Sequence, residues 1–183
     1  MGDALELFLV DHDLLSQNSA GRQRLHTCLG RRKALLLGGN EPYLITSSFQ
    51  VLPLLPNTKF IDVTMISNPE NAANIKPFSY LKSRDIKEAF KIIEAAELVD
   101  EKMLKKISEI NLRNGGDILL TISGFPSSVI FGRKDEARKI TYLKKIFDLV
   151  SEGNTIADGS SYIDLRFANH VYFGGFQNTG FIE

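Results

Sequence analysis

The chain has 183 residues, of which 43% are hydrophobic and 24% are charged, and its 22 basic and 22 acidic side chains cancel to a formal charge of zero. This length and composition are typical of one globular domain or two small ones, and they exclude a wholly disordered chain. A net charge of zero also argues against nucleic acid as a partner, because proteins that bind a phosphate backbone usually carry a clustered basic excess.

The single cysteine, Cys28, has no partner for an intrachain disulfide and cannot build a cysteine-based metal cluster. The longest early apolar run, residues 7–10, is far shorter than the roughly 20 apolar residues of a membrane-spanning helix. Acidic Asp3 and Glu6 stand where a signal peptide would carry its basic start. We therefore expect a soluble chain with no membrane anchor of its own.

The first 30 residues differ in pattern from the rest of the chain. A short acidic amphipathic piece is followed by the polar stretch 16–21 and then by a basic patch that begins at Arg22. The acidic and basic halves could pair within one helical hairpin, or the segment could be a fragment of a module that is not fully present. We treat residues 1–30 as a separate, poorly specified segment and residues 31–183 as the folded domain.

After this segment the sequence changes to short apolar runs that are separated by turn residues. The runs at 34–37, 43–46 and 49–52 predict three short strands. Another strand is predicted over residues 59–67, which are rich in β-branched and aromatic side chains and end before an Asn-Pro pair. This part of the chain is therefore expected to form a sheet.

Apolar residues change to helical spacing in two long segments, residues 83–98 and 135–152. In the first segment, Ile86, Phe90 and Ile93 share one face while charged side chains occupy the other. The second segment has the same kind of apolar stripe. Each segment predicts an amphipathic helix that packs through one face.

Between the two long helices, Asp100 predicts the start of a shorter helix that runs through residue 107. The alternating pattern of a strand then returns in residues 107–113, 117–122 and 128–131, with glycine-containing turns between them. These three runs predict a three-strand meander.

Two further runs, residues 162–167 and 171–173, predict the last strands of the chain. The order of the predicted elements favours an α+β domain, in which two main amphipathic helices pack on one face of a largely antiparallel sheet. Two helices can cover only one face, so we expect the other face to be partly exposed.

The chain shows few signs of catalytic or metal-binding chemistry. Its three histidines are scattered, and no phosphate-binding glycine loop or nucleophile elbow is present. We interpret the cluster Asp11-His12-Asp13 as solvated surface rather than a metal site, and Cys28 as a buried structural thiol rather than a nucleophile. We expect no cofactor, no metal and no small-molecule substrate.

Asp164 and Arg166 stand two positions apart on a predicted strand and share a face. They could form an ion pair or a cross-strand pair on a partly exposed face, or they could serve as an acid and its electrostatic partner. The alternative function is therefore a small soluble enzyme with a polar site around Asp164, Arg166 and His170. That hypothesis predicts a concave pocket that holds all three groups and a strongly shifted pKa for the aspartate or the histidine.

The end of the chain is unusually apolar, with five apolar residues in ten positions beside glycines: Phe167, Val171, Tyr172, Phe173 and Phe176. A terminal strand can lie at a sheet edge, where backbone N–H and C=O groups can accept the strand of another chain. Alternation directs about half of these side chains into the core. The other half form a candidate docking surface.

Five short strings occur in order between Arg31 and the C-terminus. They are Arg32-Lys33-Ala34, Leu52-Pro53-Leu54-Leu55, Ile107-Ser108-Glu109-Ile110, Val129-Ile130-Phe131-Gly132 and Tyr162-Ile163-Asp164-Leu165-Arg166-Phe167. In this order they resemble the extracytoplasmic β-domain of the FtsQ/DivIB cell-division proteins, and the last string is the most specific.

The resemblance implies a non-enzymatic scaffold of the complex that builds the bacterial septum, anchored in the inner membrane with its β-domain on the periplasmic side. In that family a cytoplasmic tail, one membrane helix and a POTRA domain precede the β-domain. The terminal strand region binds partners of the FtsB (DivIC) and FtsL type by strand addition.

Carried over by position, the partner-binding residues of this chain would be Phe167, Asn169, Val171, Tyr172, Phe173 and Gly174. Residues 1–30 would be a remnant of the POTRA module, which they do not complete. Association with a membrane would then depend on an anchor that this chain does not contain.

Overall fold

The structure is a computed structural model that describes residues 33–38, 41–54, 63–152 and 160–175. The strands within these ranges are β1 (Lys33–Gly38), β2 (Glu41–Thr46), β3 (Val51–Pro53), β4 (Met65–Ser67), β5 (Ile107–Asn111), β6 (Leu119–Ile122), β7 (Ser128–Ile130), β8 (Tyr162–Asp164) and β9 (Tyr172–Gly174). The α-helices are α1 (Arg84–Val99), α2 (Glu101–Lys106) and α3 (Glu136–Ser151).

The described strands all belong to one sheet, in the order β3-β2-β1-β4-β5-β6-β7-β8-β9. Most neighbouring pairs are antiparallel, including the predicted meander β5-β6-β7. The pairs β1–β4, β4–β5 and β7–β8 are parallel. The last two follow from crossovers, since α1 and α2 separate β4 from β5 and α3 separates β7 from β8. The predicted α+β class with a largely antiparallel sheet is thus confirmed.

The core lies between one face of this sheet and the helices. A row of aliphatic side chains crosses that face in register and is fully buried: Leu36, Ile66, Ile110, Leu120, Val129 and Ile163. The apolar stripes of α1 and α3 belong to the same buried cluster. Burial of each such side chain stabilises the fold by about 1.5–3 kcal/mol.

The opposite face is not wholly exposed, because Leu44 and Leu52 form a second, small buried cluster there with Leu54 and Val63. The sequence pattern did not predict this cluster. It lies at the β1–β3 end of the sheet, away from β9. In the part of the chain that the structure describes, no helix is both long and apolar enough to span a membrane.

The helix boundaries agree closely with the sequence pattern. α1 begins after Ser83, whose Oγ accepts a hydrogen bond from the Ile86 N–H. α2 begins after Asp100, whose carboxylate accepts from the Lys102 N–H. Side-chain oxygens at this position satisfy backbone donors that the helix leaves open, which is why serine and aspartate mark these starts.

Several predicted strands are longer than the observed ones. The strand predicted over residues 162–167 ends at Asp164, because the Arg166 N–H turns to donate to the Asp164 Oδ1 at 3.0 Å instead of continuing the ladder. Of the strand predicted over residues 59–67, residues 63–67 are described and Met65–Ser67 form the strand, while residues 59–62 lie outside the described residues. The interpretations of Cys28, of His12 and of residues 1–30 lie outside the described residues.

Candidate partner-binding edge

β9 forms one end of the sheet, and β8 is its only neighbour among the described strands. The two strands are antiparallel, with Phe173 opposite Ile163. The Ser161 N–H donates to the Gly174 carbonyl at 2.8 Å, so the backbone groups of Gly174 face β8. Because these groups alternate in direction along a strand, the N–H and C=O of Phe173 face the open side. An added strand would pair with that side.

The other end of the sheet is covered by the chain itself. The Val51 N–H donates to the Ser79 carbonyl at 2.9 Å, and the Phe78 N–H donates to the Val51 carbonyl at 2.7 Å. Gln50 and Tyr80 form a further antiparallel bridge. Covering an edge in this way prevents unwanted pairing with other chains. The two ends of the described sheet are therefore built differently.

Two of the predicted binding residues also hold β9 to the domain. Val171 and Phe173 are half-buried and pack against the main core. Their side chains point to the helix-covered face, as alternation requires. They leave only part of their surface for a partner.

The predicted binding residues Phe167 and Tyr172 form an exposed aromatic pair on the opposite face. Their ring centroids are 4.8 Å apart with an interplanar angle of 70°, and the two residues are 49% and 51% exposed. The ring of His170 stacks on Tyr172 at 6.3 Å, and its Nδ1 lies 3.0 Å from the Ala168 carbonyl oxygen. Aromatic surface beside an open edge offers contact area that backbone pairing alone does not supply.

The remaining two predicted residues shape the backbone. Asn169 lies in the turn between β8 and β9 at φ 63°, a left-handed conformation that asparagine tolerates better than most residues. Gly174 lies against the ring of Tyr162, and a Cβ at this position would overlap that ring. Asn169 and Gly174 therefore act through backbone conformation and close approach.

Arg166 links the end of β8 to the loop before β6. Its Nε and Nη2 donate to Asp164 at 3.0 and 2.6 Å, and its Nη1 donates to Asp117 at 2.9 Å. Its aliphatic part packs on Gly132, where a Cβ would lie 2.7 Å from the Arg166 Cγ. The predicted pair of Asp164 and Arg166 is thus an ion pair with a third partner in Asp117.

The pKa values of this pair shift in opposite directions. Burial alone would raise the pKa of Asp164, but hydrogen bonds from the side chain and backbone of Arg166 hold that pKa below its usual value. Hydrogen bonds to Asp164 and Asp117 raise the pKa of Arg166. Both groups therefore stay charged at neutral pH.

Of the three groups in the enzyme hypothesis, the structure brings Asp164 and Arg166 together. The contacts that His170 makes are with Ala168 and Tyr172 instead. A carboxylate that is held ionised by an arginine is also poorly suited to donate a proton at neutral pH. Among the described side chains, no group of three or more His, Cys, Asp or Glu could hold a metal ion.

Sequence reasoning missed Asp117, Gly132 and Tyr162 as parts of this region. Asp117 is 49 positions from Arg166, and no local pattern connects them. Gly132 carried a weak signal, because a glycine directly after a predicted strand often takes a positive φ, which here is 65°.

We compared the sequence with protein-family models and with curated proteins, and neither comparison gave a match. The relation to the FtsQ/DivIB proteins therefore stays a prediction that rests on the five strings. The fold and the contacts around β9 stand independently of it.

Proposed function

We propose that this chain is a non-enzymatic scaffold domain that captures a partner's strand along β9 during bacterial septum formation. One observation supports this most strongly: β9 ends the sheet with the backbone of Phe173 directed away from β8, while residues 78–80 cover the opposite end. The resemblance to the FtsQ/DivIB β-domain supplies the partner class, which is the extracytoplasmic segments of FtsB (DivIC) and FtsL type proteins. On the same resemblance we propose that the domain lies on the periplasmic side of the inner membrane.

The two faces beside β9 indicate what a partner strand must look like. Backbone hydrogen bonds contribute only about 0.5–1.5 kcal/mol each in water, so side chains must supply much of the affinity. Side chains of an added strand would alternate between the half-buried pair Val171 and Phe173 and the exposed pair Phe167 and Tyr172. We expect the partner segment to carry at least three consecutive apolar residues.

Amide hydrogen exchange measured by NMR tests this proposal at single residues. In the free chain, the N–H of Phe173 should exchange quickly, while the N–H groups of Tyr172 and Gly174 should be protected by β8. A C-terminal peptide of the FtsB- or DivIC-type protein from the same organism should protect the Phe173 N–H when it binds. Protection of Phe173 without any peptide, or no change at a saturating peptide concentration, would argue against the proposal.

A substitution in the chain provides a second test. Val171 directly precedes β9, and continued alternation would direct its N–H to the same side as that of Phe173. We therefore expect Val171→Pro to remove an N–H from the open side without removing one that faces β8. We expect this variant to bind the peptide at least about tenfold more weakly. Val171→Thr keeps the N–H and the branched shape, and it should bind much more like the wild type. A Val171→Pro variant that is folded by circular dichroism and binds with unchanged affinity would reject strand addition.

A further inference from the structure

We infer that Arg166 is a positioning residue for β9: it belongs to neither β8 nor β9, yet its contacts set the placement of the aromatic pair and of the docking edge. The inference rests on the proposed function, because it explains how the edge is kept ready for a partner. Its first consequence, the local stability of β9, can be measured with no partner present.

Arg166 is itself held from three directions. Asp164 binds its Nε and Nη2 from β8, and Asp117 binds its Nη1 from the loop before β6. Gly132 lies close beneath its aliphatic part, with no room for a Cβ. A planar guanidinium can satisfy two carboxylates in fixed directions, which the single ammonium of a lysine cannot do. The position of this side chain is therefore well determined.

The contacts continue from Arg166 to β9. The guanidinium carbon lies 5.9 Å from the centroid of the Phe167 ring, and that ring packs edge to face on Tyr172. Tyr172 in turn is the register partner of Asp164, the residue that binds Arg166. Asp164, Arg166, Phe167 and Tyr172 thus form a closed set of contacts, so a change at Arg166 should alter how firmly β9 is held.

β9 depends on these contacts because few other contacts of the described residues hold it. It is three residues long and pairs with one neighbour among the described strands. Short edge strands are weakly held by backbone bonds alone, and Val171 and Phe173 are only half-buried. The outer aromatic pair, anchored through Arg166, provides the support on the other face.

Hydrogen exchange of the free chain tests the positioning role. In Arg166→Lys and Arg166→Gln, the N–H groups of Tyr172 and Gly174 should exchange at least about tenfold faster, while Ile110 and Leu120 in the sheet centre should keep their rates. Arg138→Lys is the matched control, because Arg138 forms an exposed ion pair with Asp135 at the start of α3. Unchanged rates at Tyr172 and Gly174 would overturn the inference. Equal acceleration at Ile110 and Leu120 would also overturn it, since that result indicates general destabilisation.

Peptide binding separates this inference from the proposed function. Arg166→Lys should bind the FtsB- or DivIC-type peptide at least about fivefold more weakly than the wild type and the Arg138→Lys control. If the wild type binds no peptide, the proposed function fails, while faster exchange at β9 would still support the positioning role. If Arg166→Lys loosens β9 but binds the peptide with wild-type affinity, strand capture is kept and the role of Arg166 in docking is rejected.

Discussion

At the scale of single residues, two arginines, Arg133 and Arg166, pair with carboxylates and both contact the loop between β5 and β6. Arg133 donates from Nη2 to Asp85 at 2.9 Å and from Nε to the Gly116 carbonyl at 3.0 Å, and it also pairs with Glu88. Arg166 binds the next residue of the same loop, Asp117. The two arginines therefore both bind the loop between β5 and β6. These charge pairs link elements that are distant in the sequence.

Acid should weaken the domain through Asp164. Its folded pKa lies below the usual 3.8, so its stabilising contribution is complete above that value and is lost as the pH falls through the folded pKa. We expect the free energy of urea unfolding to decrease below about pH 4 in the wild type and to decrease less in Asp164→Asn. At pH 7 the variant should be less stable by about 1–3 kcal/mol, because Arg166 loses its main partner. Parallel pH profiles for the two proteins would contradict this.

Gly132→Ala should destabilise the domain for two reasons. The residue has φ 65°, and the new Cβ would lie 2.7 Å from the Arg166 Cγ. We expect a loss of about 1–3 kcal/mol in the free energy of unfolding. Gly124→Ala is a matched control, because Gly124 has φ 76° but no atom within 4 Å of the added Cβ. The control should show only the backbone cost, and an equal loss in both variants would mean that contact with Arg166 contributes nothing.

At the scale of elements, a segment of the chain covers the β3 end of the described sheet, whereas no described segment covers the β9 end. The covering segment at the β3 end contains a turn with Pro77 and Phe78 at its centre, closed by a hydrogen bond from the Ser79 N–H to the Lys76 carbonyl at 3.3 Å. Phe78 has φ 63° and is exposed, although a bulky side chain disfavours that conformation. Two hydrogen bonds between this segment and Val51 of β3, and a third from the Leu81 N–H to the Phe49 carbonyl, hold the turn in place. Closure of this edge therefore carries a local conformational cost.

Relief of that cost should be measurable. Phe78→Asn places a residue that tolerates a positive φ at this position and removes little buried surface. We expect the free energy of unfolding to rise by up to about 1 kcal/mol in urea denaturation. Tyr80→Asn, on the same segment but outside the positive-φ positions, should bring no gain. Destabilisation by Phe78→Asn would show that the exposed ring makes a stabilising contact.

At the scale of the whole molecule, stability should decrease from the centre of the sheet towards β9. The central strands β4, β5 and β6 each have neighbours on both sides, and their inward side chains are fully buried. β9 has one described neighbour and half-buried inward side chains. A weakly held, open end on a stable sheet suits a binding edge, because the partner can complete it without reorganising the core.

This gradient predicts an order of amide exchange rates under native conditions. Ile66, Ile110 and Leu120 should belong to the slowest class, which exchanges only on global unfolding, and Phe173 should belong to the fastest. Residue-resolved exchange by NMR on the free chain measures the order directly. If Phe173 exchanged as slowly as Ile110, β9 would not be the end of the sheet in solution.

Local sequence patterns specified much of the secondary structure. Periodicity located α1 and α3, Asp100 marked the start of α2, and the glycine turns marked the meander of β5, β6 and β7. These features depend on neighbours a few positions away, so a local pattern contains the information. Of the candidate edge, the same patterns identified an apolar terminal strand and the neighbouring pair of Asp164 and Arg166.

The order of these elements in the sheet, and the contacts between distant side chains, depend on tertiary packing. Hydrophobic alternation reports that a strand has a buried face, but it does not report which strand lies beside it, so the final position of β9 in the sheet could not be derived. The contact of Arg166 with Asp117 likewise joins residues 49 positions apart through the packing of the whole sheet. The position of β9 at the end of the described sheet is therefore a product of long-range pairing, and the contact of Arg166 with Asp117 has no local signal in the sequence.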